Sequence, residues 1–130
     1  MLGTLAGVIF LIGAGKVPHL LVVLTASGTF ATLQFLVVGF AEETLFRGYV
    51  QVRWVATLGW WPGLLLASVA MSLFHVPILL LAERLPLLNV LLETLRMMPL
   101  SLLLGYAMRK SGNIVAPGII HLWLNLIQAL

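Results

Sequence analysis

The chain has 130 residues, of which 62% are hydrophobic and only 8% are charged. Soluble domains carry roughly 25% charged residues, so this composition excludes a water-soluble globular domain and predicts an integral membrane protein. The seven Lys and Arg residues give a net charge of +3, but they are scattered and form no basic patch for nucleic acid. The absence of cysteine excludes disulfides, thiolate metal sites and a cysteine nucleophile.

The apolar stretches predict a single membrane-embedded domain over residues 1–130. A membrane-spanning helix needs about 20 predominantly apolar residues. We therefore expect an all-α, polytopic transmembrane helical bundle with about four spans and a short apolar segment, Met1–Gly15, before them. The predicted spans are Leu20–Phe40, Leu64–Leu81, Leu87–Met108 and Ile114–Leu130.

Gly, Pro and aromatic residues mark the connections between these spans. Tyr49–Leu58 predicts an interfacial segment, and Gly59–Gly63 predicts a turn with aromatic residues at a membrane surface. Glu83–Pro86 predicts a loop on the opposite side. Pro77 follows His75 by two residues, so it is expected to interrupt the helix there and to free backbone groups near the histidine.

Two adjacent carboxylates and an arginine stand at the end of the first predicted span. Glu43 and Arg47 are spaced i,i+4, so they share a helical face and can pair. Glu42 is turned about 100° from Glu43 and is free to face elsewhere. A carboxylate without a partner in a low-dielectric site is a candidate general base. The alternative interpretation is a solvated charge cluster at a helix end. We expect the helix to continue to about Arg47 or beyond.

Polar side chains also lie inside two later spans. His75 is in one span, and His121 and Asn125 share a face of the last one. Such residues in membrane spans usually face the bundle interior. If the sets meet, Glu42 and His75 can hold and deprotonate a water, while His121 and Asn125 donate to an oxyanion. The alternative is a set of structural polar contacts between helices.

At these residues the chain resembles the CAAX protease and bacteriocin-processing (CPBP) family, the intramembrane peptidases that include the type II CAAX prenyl endopeptidases. Residues 42–47 match the family's Glu-Glu-x-x-x-Arg motif, and residues 121–125 match its His-x-x-x-Asn motif. The Phe-x-x-x-His motif retains His75 but has Met71 where phenylalanine is usual. The resemblance covers about residues 35–130.

The resemblance implies an intramembrane endopeptidase that hydrolyses a peptide bond of a membrane-associated or prenylated protein or peptide. It implies the catalytic residues Glu42, His75, His121 and Asn125, with Glu43 and Arg47 in support. Zinc is the alternative cofactor, held by Glu42, His75 and His121. The lack of a His-Glu-x-x-His helix and the poor ligand Asn125 favour a glutamate-activated water with no metal or other cofactor. Members of this family usually have further N-terminal helices, so we expect a minimal or truncated member.

Two other functions use the same residues. The first is a non-catalytic membrane binding protein, such as a bacteriocin self-immunity factor. The second is a small proton-coupled transporter subunit with Glu42 and His75 as a relay, although the sequence shows no inverted repeat. Peptidase activity should be abolished by Glu42→Gln, whereas a binding protein should tolerate that change better.

The distribution of basic residues predicts how the protein lies in its membrane. The positive-inside rule predicts a multi-pass protein of a bacterial or archaeal plasma membrane with the active-site side facing the cytoplasm. The expected partners are the lipid bilayer and a peptide or protein substrate, with no nucleic acid and no prediction of oligomeric state. Four basic residues mark the predicted cytoplasmic side and two the other, namely Arg47, Arg53, Arg109 and Lys110 against Lys16 and Arg84.

Overall fold

The computed structural model describes residues 26–129, and every regular element in that range is helical. The chain there begins with α1 (Ala26–Glu43), which continues without a break into a π-helical segment (Thr44–Gln51) and then α2 (Val52–Leu58). The hydroxyl of Thr44 donates to the carbonyl oxygen of Phe40 at 2.7 Å, a side-chain bond of the kind that bends helices. The prediction that the helix passes beyond Arg47 is confirmed.

Gly59 alone separates α2 from α3 (Trp60–Phe74). Its φ of +85° is in the region that favours glycine. The predicted turn over Gly59–Gly63 is wrong after its first residue, because Trp60 already begins the helix. Pro62 fits there since the first turn of a helix needs no intrahelical partner for its N–H groups. The two helices cross closely, as a Cβ added to Gly63 would lie 2.5 Å from the backbone nitrogen of Val55.

The helix breaks at His75, as the sequence predicts, and resumes as α4 (Val76–Leu81). The backbone N–H of His75 bonds to the carbonyl of Ser72 at 3.3 Å instead of to Met71 four residues earlier. Pro77 stands in the first turn of α4, where a missing N–H costs little. The carbonyl of Met71 is therefore released from the helix ladder.

The last two helices are α5 (Leu87–Ser111) and α6 (Val115–Ala129), joined by a short polar turn. Gly112 ends α5 with a φ of +71°, a common helix terminus. The side-chain oxygen of Asn113 then accepts from the N–H of Val115 at 3.0 Å and so starts α6. The turn at residues 82–86 lies at the opposite end of α5 from this one.

Two stretches are long and apolar enough to cross a membrane: Trp60–Leu81, which joins α3 and α4, and Leu87–Ser111. A shorter apolar stretch covers Val115–Ile127. Large apolar side chains on these helices are exposed, for example Leu81 and Leu88, as expected of surfaces that face lipid. The all-α prediction is thus confirmed for residues 26–129, and two of its four spans are supported. The predicted segment Met1–Gly15 lies outside the described residues.

Helix packing places the end of α1 inside the bundle. α3 packs against α2 and α5, while α1 packs mainly against α6. Leu64, Ala67 and Leu104 are buried between α3 and α5. The junction of α1 with the π segment, which carries both glutamates, consequently meets residues from α3, α5 and α6.

Candidate active site

Glu43 and Arg47 form a buried ion pair at the end of α1. Their side chains are fully buried, and Arg47 Nε lies 3.3 Å from Glu43 Oε2. These two atoms make a charge contact without hydrogen-bond geometry. The alternative interpretation of a solvated charge cluster is therefore wrong for this pair. Losing one partner of a buried ion pair typically costs 3–5 kcal/mol, so the pair is a structural constraint on the helix.

Arg47 is also tied to α5, a connection that sequence reasoning missed. Its Nη2 donates to the carbonyl oxygen of Ser101 at 3.0 Å and to the Ser101 hydroxyl at 3.1 Å. One turn further on, the Gln51 amide donates to the carbonyl of Gly105 at 3.1 Å. The signal in the sequence is the small-x-x-x-small pair Ser101 and Gly105, a spacing that lets membrane helices approach closely.

Glu42 lies beside two histidines, the buried His121 and the half-buried His75. Its Oε1 is 3.7 Å from His75 Nε2, and its Oε2 is 3.5 Å from His121 Nε2. These separations exceed those of direct hydrogen bonds. The Glu42 side chain is 18% exposed, so it can be reached from a cleft. The structure thus brings together Glu42, His75 and His121 from three different helices or helix junctions.

The hydrogen bonds of the two histidines define where their lone pairs point. His75 Nδ1 lies 2.9 Å from the freed carbonyl of Met71, so it donates a proton there. His121 Nδ1 lies 3.0 Å from Glu43 Oε1 and donates to that carboxylate. In the neutral form of each ring, Nε2 then carries the lone pair and faces Glu42. The bond between His121 and Glu43 was not predicted, because the sequence links His121 only with Asn125.

Asn125 lies at the same site without a fixed partner. It shares α6 with His121 and lines both cavities that meet there. Its amide makes no hydrogen bond within residues 26–129. An amide in this position is available to a ligand, and its Nδ2 group can donate to an oxygen.

Two cavities meet at these side chains. An open cleft of about 520 Å³ is lined by Glu42, His75, His121 and Asn125, together with α1 and α4 side chains and Glu83. A smaller inner cavity of about 80 Å³ lies beyond the histidines, against Ser72 and Ser101. Of the two cavities, the larger cleft is the more open.

The predicted alternative zinc ligands, Glu42, His75 and His121, all line the open cleft. In the part of the chain that the structure describes, no group of three or more His, Cys, Asp or Glu side chains is arranged to hold a metal ion. The imidazole orientation is nevertheless of the type found in metal sites, where each ligating histidine donates its other N–H to a carbonyl or carboxylate.

A carboxylate, two imidazoles and an amide thus meet at one cleft of a helical protein that has two membrane-length apolar stretches. The family model "Type II CAAX prenyl endopeptidase Rce1-like" matches residues 24–127. The chain therefore belongs to the Rce1-like family of type II CAAX prenyl endopeptidases, and the predicted family is confirmed. No curated protein and no solved structure matches the chain.

Membership of this family establishes the general class of the protein. The family is one of membrane-embedded proteases, which act on peptide or protein substrates in a membrane. The two apolar spans agree with that setting.

Proposed function

We propose that this protein is an intramembrane endopeptidase that hydrolyses a peptide bond of a membrane-associated or prenylated protein or peptide. The observation that carries the proposal is the position of Glu42 between the Nε2 atoms of His75 and His121 at the cleft. A carboxylate so placed can take a proton from water, and a positioned general base contributes about 10²–10⁴-fold to rate.

The proposed reaction begins with a water held by Glu42 Oε1 and His75 Nε2. Because these two atoms are 3.7 Å apart, one water beside them can donate a hydrogen bond to each. The water oxygen attacks the scissile carbonyl carbon as its proton moves to Glu42. When the C–N bond breaks, Glu42 returns that proton to the leaving amine.

The developing oxyanion is stabilised by donors from α6. Asn125 Nδ2 can donate directly. His121 can donate from Nε2 when its ring carries two protons, while its Nδ1 bonds to the buried Glu43. Glu43 is held in turn by Arg47. Loss of one oxyanion donor typically costs about 10²–10³ in kcat.

A zinc-dependent variant is the second candidate, favoured by the Nδ1 hydrogen bonds of both histidines. Glu42, His75 and His121 are the side chains that would hold zinc, although within residues 26–129 they do not form a metal-holding group; a bound zinc would supply an activated water. The non-catalytic binding or immunity protein is the third candidate and uses the same cleft.

One experiment separates the three candidates. Purified protein in detergent is incubated with a panel of membrane-associated peptides, as wild type, Glu42→Gln and His121→Ala, each with and without a chelator. Cleavage that both substitutions abolish and that survives the chelator supports the glutamate-activated water. Cleavage that is lost to the chelator and restored by zinc supports the metal site. Absence of cleavage by folded wild type across the panel supports the binding protein.

The predicted orientation needs its own test. It places Arg109 and Lys110 in the cytoplasm, but the cleft is lined by Glu83 at the opposite end of α5. Since the chain has no cysteine, single cysteines at Glu83 and Asn113 can be labelled with a membrane-impermeant maleimide in intact cells. Labelling of the Glu83 position supports the positive-inside orientation and puts the cleft mouth outside. Labelling of the Asn113 position overturns that orientation and puts the mouth in the cytoplasm.

A further inference from the structure

Apart from its two imidazoles, the cleft beside Glu42 carries only negative formal charge. Its charged lining side chains are Glu42 and Glu83, and none of the residues that line it is Lys or Arg. The rest of its wall comes from α1, α4, α5, α6 and His75, for example Gln34, Ile78 and Met97. The proposed reaction uses Glu42 and leaves Glu83 without a role.

Glu83 is held at the mouth of this cleft without a charged partner. Its backbone N–H bonds to the carbonyl of Ile78 at 3.0 Å, which fixes its position just after α4. Its side chain is exposed and forms no ion pair with any residue between 26 and 129. Glu93, the other acid away from the site, is instead paired with Arg96 at 3.0 Å.

The length of α4 determines how far Glu83 lies from the proposed reaction centre. Glu83 is eight residues beyond His75, and a helical rise of 1.5 Å per residue gives a separation of about 12 Å. An extended peptide advances about 3.3 Å per residue. Glu83 therefore stands about three to four substrate residues from the scissile bond.

We propose that Glu83 is a specificity residue that selects substrates with a Lys or Arg about three to four residues from the cleaved bond. This inference rests on the proposed peptidase function of the same cleft. A cation at that position meets the Glu83 carboxylate, whereas an acidic residue there is repelled by it. Because this contact is remote from the reacting atoms, it acts on KM more than on kcat.

The test is a charge scan of one membrane-associated peptide that the wild type cleaves. Lys, Gln or Glu is placed at each position from two to five residues on either side of the scissile bond, and kcat/KM is measured. We expect wild type to prefer Lys over Glu by about two- to fivefold near the third or fourth position on one side, as for exposed ion pairs. The preference should fall as salt is raised to about 1 M, because ions screen exposed charges.

The variants give the discriminating result. Glu83→Gln should reduce the ratio of Lys to Glu peptides to near one, and Glu83→Lys should invert it. Glu93→Gln is the matched control, since it removes the same charge outside the cleft, and it should keep the wild-type ratio. An unchanged ratio in folded Glu83→Gln and Glu83→Lys overturns the inference.

Failure of the proposed function is recognised separately. If folded wild type cleaves no peptide, binding of the fluorescent Lys and Glu peptides is measured for wild type, Glu83→Gln and Glu93→Gln. A Lys preference lost only in Glu83→Gln supports the charge selection and rejects peptidase activity. Equal binding of both peptides by wild type overturns the selection as well.

Discussion

Glu42 and Glu43 are neighbours in sequence but belong to two different environments. Glu43 is fully buried between Arg47 and His121, at 3.3 and 3.0 Å. Glu42 is partly exposed, has no hydrogen bond in the described structure, and lies 3.5–3.7 Å from two imidazole nitrogens. The helix turns the two side chains about 100° apart, and the packing of α1 against α6 then gives them different surroundings.

The comparison shows how a small membrane protein can fix its helices with one set of polar side chains and keep another set available for a ligand. On one side, a connected set of polar groups runs from Ser101 through Arg47 and Glu43 to His121. On the other side, Glu42 and Asn125 remain free to bind a water or a substrate. A site of this kind needs both parts, since catalytic groups must be held within about 0.5 Å of their working geometry.

The largest expected effect on the free energy of unfolding comes from breaking the buried ion pair between Glu43 and Arg47. Arg47→Met should destabilise the folded protein by about 3–5 kcal/mol, because it leaves the Glu43 charge buried with His121 as its remaining partner. Unfolding in detergent measures this loss. The double variant Arg47→Met, Glu43→Gln should recover part of it, and a single variant as stable as wild type would contradict the role of the ion pair.

The second prediction concerns Asn125, which lines the open cleft. Asn125→Ala removes the proposed oxyanion donor and should lower kcat about 10²–10³-fold. Unfolding should change little, because the Asn125 amide has no hydrogen-bond partner to lose within residues 26–129. Peptide cleavage and thermal unfolding are measured on the same preparation. Normal cleavage by Asn125→Ala would remove this residue from the proposed mechanism.

The smallest effect concerns the neutral contact beside the ion pair. Gln51→Ala removes the hydrogen bond to the Gly105 carbonyl, and interhelical polar contacts in membranes contribute about 0.6 kcal/mol on average. The loss in unfolding free energy should therefore be well below that of Arg47→Met. An equal loss would show that the neutral contact and the ion pair contribute alike, and would end the distinction between them.

The sequence predicts the local features of this site and misses the long-range ones. The i,i+4 spacing of Glu43 and Arg47 predicts their contact, and Pro77 predicts the break at His75. These features depend on residues that are close in sequence, so helix geometry is enough to find them. The sequence motifs likewise lead to the correct family.

The missed features depend on how distant helices pack. The bond between Glu43 and His121 joins residues 78 positions apart, so it appears only when α1 lies against α6. The π segment over Thr44–Gln51 places Arg47 and Gln51 against α5, and no single residue in it predicts a π-helix. Its occurrence beside the candidate site agrees with the frequent use of π-helical turns at functional sites.

The most direct test of the account compares the two neighbouring glutamates in one experiment. Cleavage of a membrane-associated peptide and unfolding in detergent are measured for wild type, Glu42→Gln and Glu43→Gln. The account predicts that Glu42→Gln loses about 10²–10⁴-fold in kcat with unfolding unchanged, whereas Glu43→Gln loses stability. A folded Glu42→Gln variant that cleaves as fast as wild type would contradict the central claim that Glu42 activates the water.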